Sequence, residues 1–131
     1  MNETNERPER VLVADDDPSI LLLVTRILTR AQYRVDTAVN GRDALEKLAE
    51  THYDVVVLDL MMPEVSGLQV INEVAARPRA PRFIVIMSAG SPSLLEQASA
   101  PNVFATLRKP FEIEELVAAV DACVTITREA P

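Results

Sequence analysis

The chain has 131 residues, which suits one domain with a real core, and 48% of them are hydrophobic, which argues against a disordered chain. Its 20 acidic residues against 13 basic ones leave a net charge of −7, a surface that a phosphate backbone repels, so direct nucleic-acid binding is not expected. The single cysteine, Cys123, allows no intramolecular disulfide, Met1–Arg10 lacks the apolar stretch of a signal peptide, and no run of about 18 apolar residues exists, so the sequence predicts a cytoplasmic protein that does not span a membrane.

Short apolar runs alternate with helical patterns along the chain. Val11–Ala14 predicts a first strand, ending in Asp15, Asp16 and Asp17. Asp17 can cap the helix that follows, Pro18 suits its first turn, and Ile20, Val24, Ile27, Leu28 and Ala31 recur at helical spacing. Tyr33–Val39 reads as a second strand, Asn40-Gly41 as punctuation, and Ala44, Leu45, Leu48 and Ala49 as a second helix. Val55–Leu58 is too apolar for one wet face and predicts a buried strand. Leu68, Ile71, Val74 and Ala75 mark a third helix closed by Pro78. Phe83–Met87 predicts a fourth strand, Pro92–Ser99 a short helix, and Val103–Leu107 a fifth strand. Ile113, Leu116, Val117, Val120 and Val124 mark a last helix. Five strands alternating with five helices predict an α/β domain, a doubly wound parallel sheet covered on both faces. The expected domain spans residues 10–127, with flexible tails at 1–9 and 128–131.

In such sheets, ligands bind beyond the carboxyl ends of the strands. Strand one ends in three aspartates, strand three in Asp59, strand four in Ser88, and strand five in Lys109-Pro110. Gathered at one rim, these groups make a site for phosphoryl transfer. Clustered carboxylates repel one another, and a hard cation such as Mg²⁺ relieves that repulsion and screens an incoming phosphoryl group. One carboxylate would be the nucleophile, forming an aspartyl phosphate, while Lys109 and Ser88 contact phosphoryl oxygens.

These residues resemble the receiver domains of response regulators, over roughly Arg10 to Thr127. Asp15 and Asp16 match that family's acidic pair, and Asp59-Leu-Met-Met-Pro63-Glu-Val-Ser-Gly67 matches its phosphoacceptor motif. Ser88-Ala89 matches its Thr/Ser-Ala step, and Lys109-Pro110-Phe111 its Lys-Pro-Phe step. The resemblance implies a flavodoxin-like fold with strand order 2-1-3-4-5 and a cis peptide before Pro110. It implies that Asp59 accepts a phosphoryl group, that Asp16, Asp59 and the Met61 carbonyl ligate Mg²⁺, and that Asp15 acts through water. It implies, as partners, a histidine kinase or a histidine phosphotransfer protein as donor and a downstream protein target. Such a protein is a signalling switch with weak self-phosphorylation and autodephosphorylation chemistry, not a metabolic enzyme.

Two features depart from the family pattern. Thr106 stands where Tyr or Phe is usual, three residues before Lys109, and Ser91–Asn102 is short and bracketed by prolines. Both fall on the signalling face. Two rival functions use the same residues. Asp15-x-Asp17-x-Ser19 after a strand resembles the nucleophile motif of haloacid-dehalogenase-like phosphatases, with Asp15 as nucleophile and Asp17 as acid/base. A pseudo-receiver that binds without being phosphorylated is the other. Elsewhere the plainer readings hold: Asp17 as a cap, His52 as a surface residue, Cys123 and Met62 as packing residues. Ile20, Leu23, Val24, Ile27 and Leu28 already complete an apolar stripe on the first helix, so Leu21 and Leu22 widen it toward solvent and suggest a partner surface.

Overall fold

The computed structural model describes residues 9–77, 80–98 and 100–129. Five strands and five helices alternate in chain order: β1 Arg10–Ala14, α1 Pro18–Arg30, β2 Arg34–Ala38, α2 Gly41–Glu50, β3 Val55–Asp59, α3 Gly67–Val74, β4 Phe83–Ser88, α4 Pro92–Gln97, β5 Val103–Arg108 and α5 Ile113–Glu129. The strands form one sheet in the order β2-β1-β3-β4-β5, every neighbouring pair parallel. This is the doubly wound parallel sheet that the alternation predicts, in the flavodoxin-like strand order that the resemblance implies.

Period-two alternation divides the core into two layers. Leu12, Ala14, Val56, Leu58, Ile84 and Ile86 point to one face, where Ala44, Leu48, Val70, Ile71 and Val74 of α2 and α3 cover them. Val11, Val13, Val55, Val57, Val85 and Met87 point to the other, under Val24 and Leu28 of α1 and Leu116, Val120 and Val124 of α5. The three inner strands are therefore apolar on both faces, which is why they carry no polar alternation in sequence. Cys123 is wholly buried in the second layer, and burial pushes its thiol up to about 12.

The helix ends follow from their residues. Asp17 caps α1, its carboxylate accepting the Ser19 N–H at 2.9 Å. Asn40 caps α2, and Ser66 with Gln69 forms a reciprocal capping box on α3. At the other end of α1, Gln32 sits in the left-handed region at φ 74°. Its N–H donates to the Thr29 carbonyl and the next one, of Tyr33, reaches the Leu28 carbonyl, the pattern that ends a helix on a residue usually glycine.

Several boundaries differ from the sequence expectation. β2 is Arg34–Ala38, without Tyr33 and Val39: Tyr33 is buried with its hydroxyl on Asp121, and Val39 is exposed. Pro78 and Ser99, expected to end helices, lie outside the described residues, as do Met1–Pro8 and Ala130–Pro131 of the expected tails. Two tail residues that are described are well held. Glu9 is buried, the Arg128 guanidinium grips both its carboxylate oxygens at 2.8 and 2.9 Å, and α5 continues through Arg128 to Glu129.

The polarity of α1 also needs correction. Val24 and Leu28 are buried and Leu21 is half-buried, whereas Leu22 and Leu23 are 55% and 46% exposed. Leu21 lies three and seven residues before Val24 and Leu28, hence on their face. Leu23 is one residue before Val24, about 100° around the helix. The exposed pair is therefore Leu22 and Leu23 rather than Leu21 and Leu22.

Candidate functional site

The carboxyl ends of β1, β3, β4 and β5 converge at one rim, as parallel strands require. Asp15 follows β1 and is fully buried; Asp16, one residue on, is exposed. Asp59 closes β3 and is only 4% exposed. One carboxylate oxygen each of Asp15, Asp16 and Asp59 falls within 4.8 Å of the others. Asp17 stays outside this group, capping α1.

Lys109 enters from the end of β5. Its ammonium donates to Asp15 Oδ2 at 2.8 Å and reaches Asp59 Oδ2 at 3.4 Å. Its backbone N–H donates to the Ser88 carbonyl, and the Lys109–Pro110 peptide is cis, as the motif implies. Asp15 Oδ1 accepts the Asp17 N–H at 2.9 Å, and Asp59 Oδ1 accepts the Met61 N–H at 3.0 Å. Ser88 is fully buried, and its hydroxyl accepts the Gly90 N–H at 2.9 Å.

The charges do not balance. Three carboxylates share one ammonium, and Lys109 is nearer Asp15 than Asp59. Burial accordingly raises the Asp59 carboxyl above its ordinary value, against the pull of the Met61 N–H and the Lys109 charge, while the Asp15 charge adds to the rise. Burial alone would lower Lys109, but the hydrogen bond to Asp15 and the charges of Asp59 and Asp15 outweigh it and hold the ammonium above its usual range. Hard oxygen donors, close together, with one member exposed to solvent and an unbalanced negative charge, suit a hard divalent cation.

The backbone around Asp59 is tightly seated. A β-carbon on Gly67 would stand 2.2 Å from the Asp59 carbonyl oxygen, so α3 can begin against the end of β3 only with glycine there. Glu64, in the intervening loop, takes the left-handed region at φ 64°. The Met61 side chain is 54% exposed beside the site, and Met62 is buried among the core residues.

All the residues picked out at strand ends thus lie at one rim. The sequence held no sign of Gly90's part, because a backbone N–H that holds a buried hydroxyl leaves no mark in residue type. Nor did it point to the groove of about 430 Å³ beside the site, lined by Ile20, Leu23, Ala89, Lys109, Pro110 and Phe111. On β5, Thr106 is exposed, and Phe104 packs edge-on against Phe83, ring centroids 5.6 Å apart, rather than toward the acidic rim.

The profile of the response regulator receiver domain matches residues 11–121, most of the chain and every strand end described above. The chain belongs to the response regulator receiver domain family. Among curated relatives, this receiver domain is 34% identical over 122 residues to the transcriptional regulatory protein ResD of Bacillus subtilis, covering 93% of this chain and 50% of ResD. It is 32% identical over 114 residues to the response regulator ArlR of Staphylococcus aureus, covering 86% of this chain and 51% of ArlR. The chain thus spans about half the length of the curated relatives it matches. Among solved structures, it is similar to the response regulator TrrA of Thermotoga maritima, in complex with Mg²⁺-BeF, at 34% identity and a TM-score of 0.78, with 88% of this chain and 98% of that one covered. The chemotaxis protein CheY4 of Vibrio cholerae gives 30% identity and a TM-score of 0.80 over the same shares.

Membership places the chain in two-component signalling, and the phosphatase and pseudo-receiver alternatives are not favoured. No described helix is long and apolar enough to cross a membrane. The expectation of no nucleic-acid partner finds no support in these relatives, since ResD is itself named a transcriptional regulator.

Proposed function

We propose that this receiver domain, within residues 10–127, is a switch that accepts a phosphoryl group on Asp59 from a phosphohistidine donor, a histidine kinase or a histidine phosphotransfer protein. The observation that carries this reading is the position of Asp59: nearly buried at the end of β3, one carboxylate oxygen held by the Met61 N–H and the other facing Lys109. A carboxylate so fixed is oriented for in-line attack. An Asp59 oxygen would attack phosphorus, forming the O–P bond as the N–P bond to the donor's imidazole breaks, and the electron pair leaves with that ring. Lys109 would place its ammonium against one phosphoryl oxygen, and Ser88 would donate its hydroxyl to another.

Mg²⁺ would be held by Asp16, Asp59 and the Met61 carbonyl, with Asp15 acting through water, and the chemistry it supplies when bound is positive charge against carboxylate and phosphoryl oxygens. The Mg²⁺-BeF complex of TrrA, a relative at 34% identity, supports that choice of ion. A downstream protein target, a cytoplasmic setting and a signalling rather than metabolic role belong to the same reading.

Incubation with Mg²⁺ and acetyl phosphate, followed by intact mass, tests it. The parent and Asp17→Asn proteins should each gain one phosphoryl group, and Asp59→Asn should gain none. Full labelling of Asp59→Asn, or no labelling of the parent, would overturn the assignment.

A further inference from the structure

Gly41 is the first residue of α2, which follows the carboxyl end of β2, and its φ is not in the left-handed region. Conformational freedom is therefore not what calls for glycine there. Space is. A β-carbon at Gly41 would stand 2.0 Å from the Val65 carbonyl oxygen, 2.7 Å from its carbonyl carbon and 2.8 Å from its β-carbon. The first two are backbone atoms, so no side-chain rotation relieves the clash.

Val65 belongs to the loop between β3 and α3, which runs from Asp59 to Gly67. Short-range hydrogen bonds set its backbone. Met61 donates its N–H to Asp59 Oδ1, the Gly67 N–H reaches the Leu60 carbonyl at 3.0 Å, and Ser66 caps α3. Glu64 within it is already in a sparsely populated backbone region. The start of α2 is fixed independently: Asn40 accepts the Asp43 N–H at 2.8 Å, and Ala44 and Leu48 are buried under the sheet. The rigid end of α2 thus presses on the far side of the segment that orients the phosphoacceptor.

We infer that Gly41 is a positioning residue: by letting α2 pack directly on the Val65 backbone, it sets the loop that orients Asp59 and presents Met61. The inference rests on the phosphoacceptor reading above. Relieving the clash at Gly41→Ala requires the Val65 carbonyl to retreat by about 1 Å, and a misplacement of that size near a reacting group costs roughly 10²-fold in rate. Loss of support behind a metal ligand costs about 10- to 100-fold in metal affinity.

The test reads the metal-free protein first. Hydrogen exchange resolved at single amides should speed up at Met61 and Gly67 in Gly41→Ala, while the β1 and β3 amides keep their parent rates. Leu48→Ala, which hollows the same helix without touching Val65, should lower stability and leave Met61 as in the parent. If Gly41→Ala does not fold, Val65→Gly removes the Val65 side chain that packs beside Gly41 and frees the loop backbone there, and should give the same local signature. Mg²⁺ titration should then show half-saturation raised about 10- to 100-fold in Gly41→Ala or Val65→Gly, and not in Leu48→Ala. Parent-like Met61 exchange with parent-like Mg²⁺ half-saturation in the folded variant overturns the inference, as does uniform acceleration matching Leu48→Ala. A parent protein that acetyl phosphate never labels overturns the phosphoacceptor reading instead, and is scored separately.

Discussion

Replacing Lys109 by Met tests how the acidic rim is held together without a divalent ion. Met keeps the apolar stem and removes the charge. In the parent, the ammonium lies 2.8 Å from Asp15 Oδ2 and 3.4 Å from Asp59 Oδ2, with the Lys109 side chain 19% exposed and both carboxylates almost dry. At an effective dielectric near 20, each contact is a gross attraction of about 5–6 kcal/mol. The net loss is smaller, because the ammonium's own burial cost disappears with it. Removing one partner of a buried pair typically costs about 3–5 kcal/mol. The lower end, about 3 kcal/mol, applies here, since Lys109 keeps some contact with water. Domains of this size have about 5–15 kcal/mol in hand, so the variant should fold. Urea unfolding followed by circular dichroism at pH 7, with divalent ions chelated, should show the midpoint falling by roughly 1–3 M for a slope of about 1–3 kcal/mol/M. Saturating Mg²⁺ should narrow the gap, because the ion supplies the missing charge. Asp59→Asn should shift the metal-free midpoint upward, having removed one of three crowded charges. A Lys109→Met protein within about 0.5 kcal/mol of the parent under chelation would refute the charge balance drawn here, a difference that surface ion pairs commonly show.

Four further outcomes follow from particular contacts. Burial holds the Cys123 thiol at about 12 and raises the Tyr53 hydroxyl, the latter also through its bond to Asp36, so the folded chain keeps protons that the unfolded chain releases first. The Cys123 contribution is complete below pH 9 and is lost as pH rises toward 12, and that of Tyr53 is lost at higher pH; Cys123→Ala should flatten the alkaline fall in unfolding free energy, at most about 1.4 kcal/mol per pH unit for one group. Gln32→Gly should raise stability by up to about 1 kcal/mol, since the left-handed position costs other residues about 1–2 kcal/mol and glycine gives part of that back as chain entropy; a lower thermal midpoint would count against it. Leu22→Glu should leave labelling by acetyl phosphate unchanged and slow transfer from the cognate phosphohistidine donor, whereas unfolding of that variant would show that the exposed leucine is needed for packing. Thr106→Tyr should change affinity for the downstream target without changing the labelling rate, and an altered labelling rate would place Thr106 in the chemistry.

The element order, the parallel sheet and the gathering of Asp15, Asp16, Asp59, Ser88 and Lys109 at one rim were legible in the sequence. The apolar runs of β1, β3 and β4 show burial on both faces, and in a doubly wound sheet all strands point the same way, so whatever residue ends a strand must arrive at the same edge. Local chemistry was equally readable: Asp17 as the cap of α1 and Cys123 as a core residue needed only their neighbours in the chain. What tertiary structure alone decided lies between segments distant in sequence. Leu21 and Leu23 are alike in type, and only the orientation of α1 on the sheet buries one and exposes the other. Glu9 and Arg128 sit at opposite ends of the chain, each surrounded by polar residues that suggest a tail, until α5 brings them together. Gly41 reads as a turn glycine after Asn40, and its need for space appears only when α2 comes down on the Val65 backbone. Periodicity records which way a side chain faces relative to its own element; the distance of closest approach between two elements is set by their packing, and residue type reports it only afterwards.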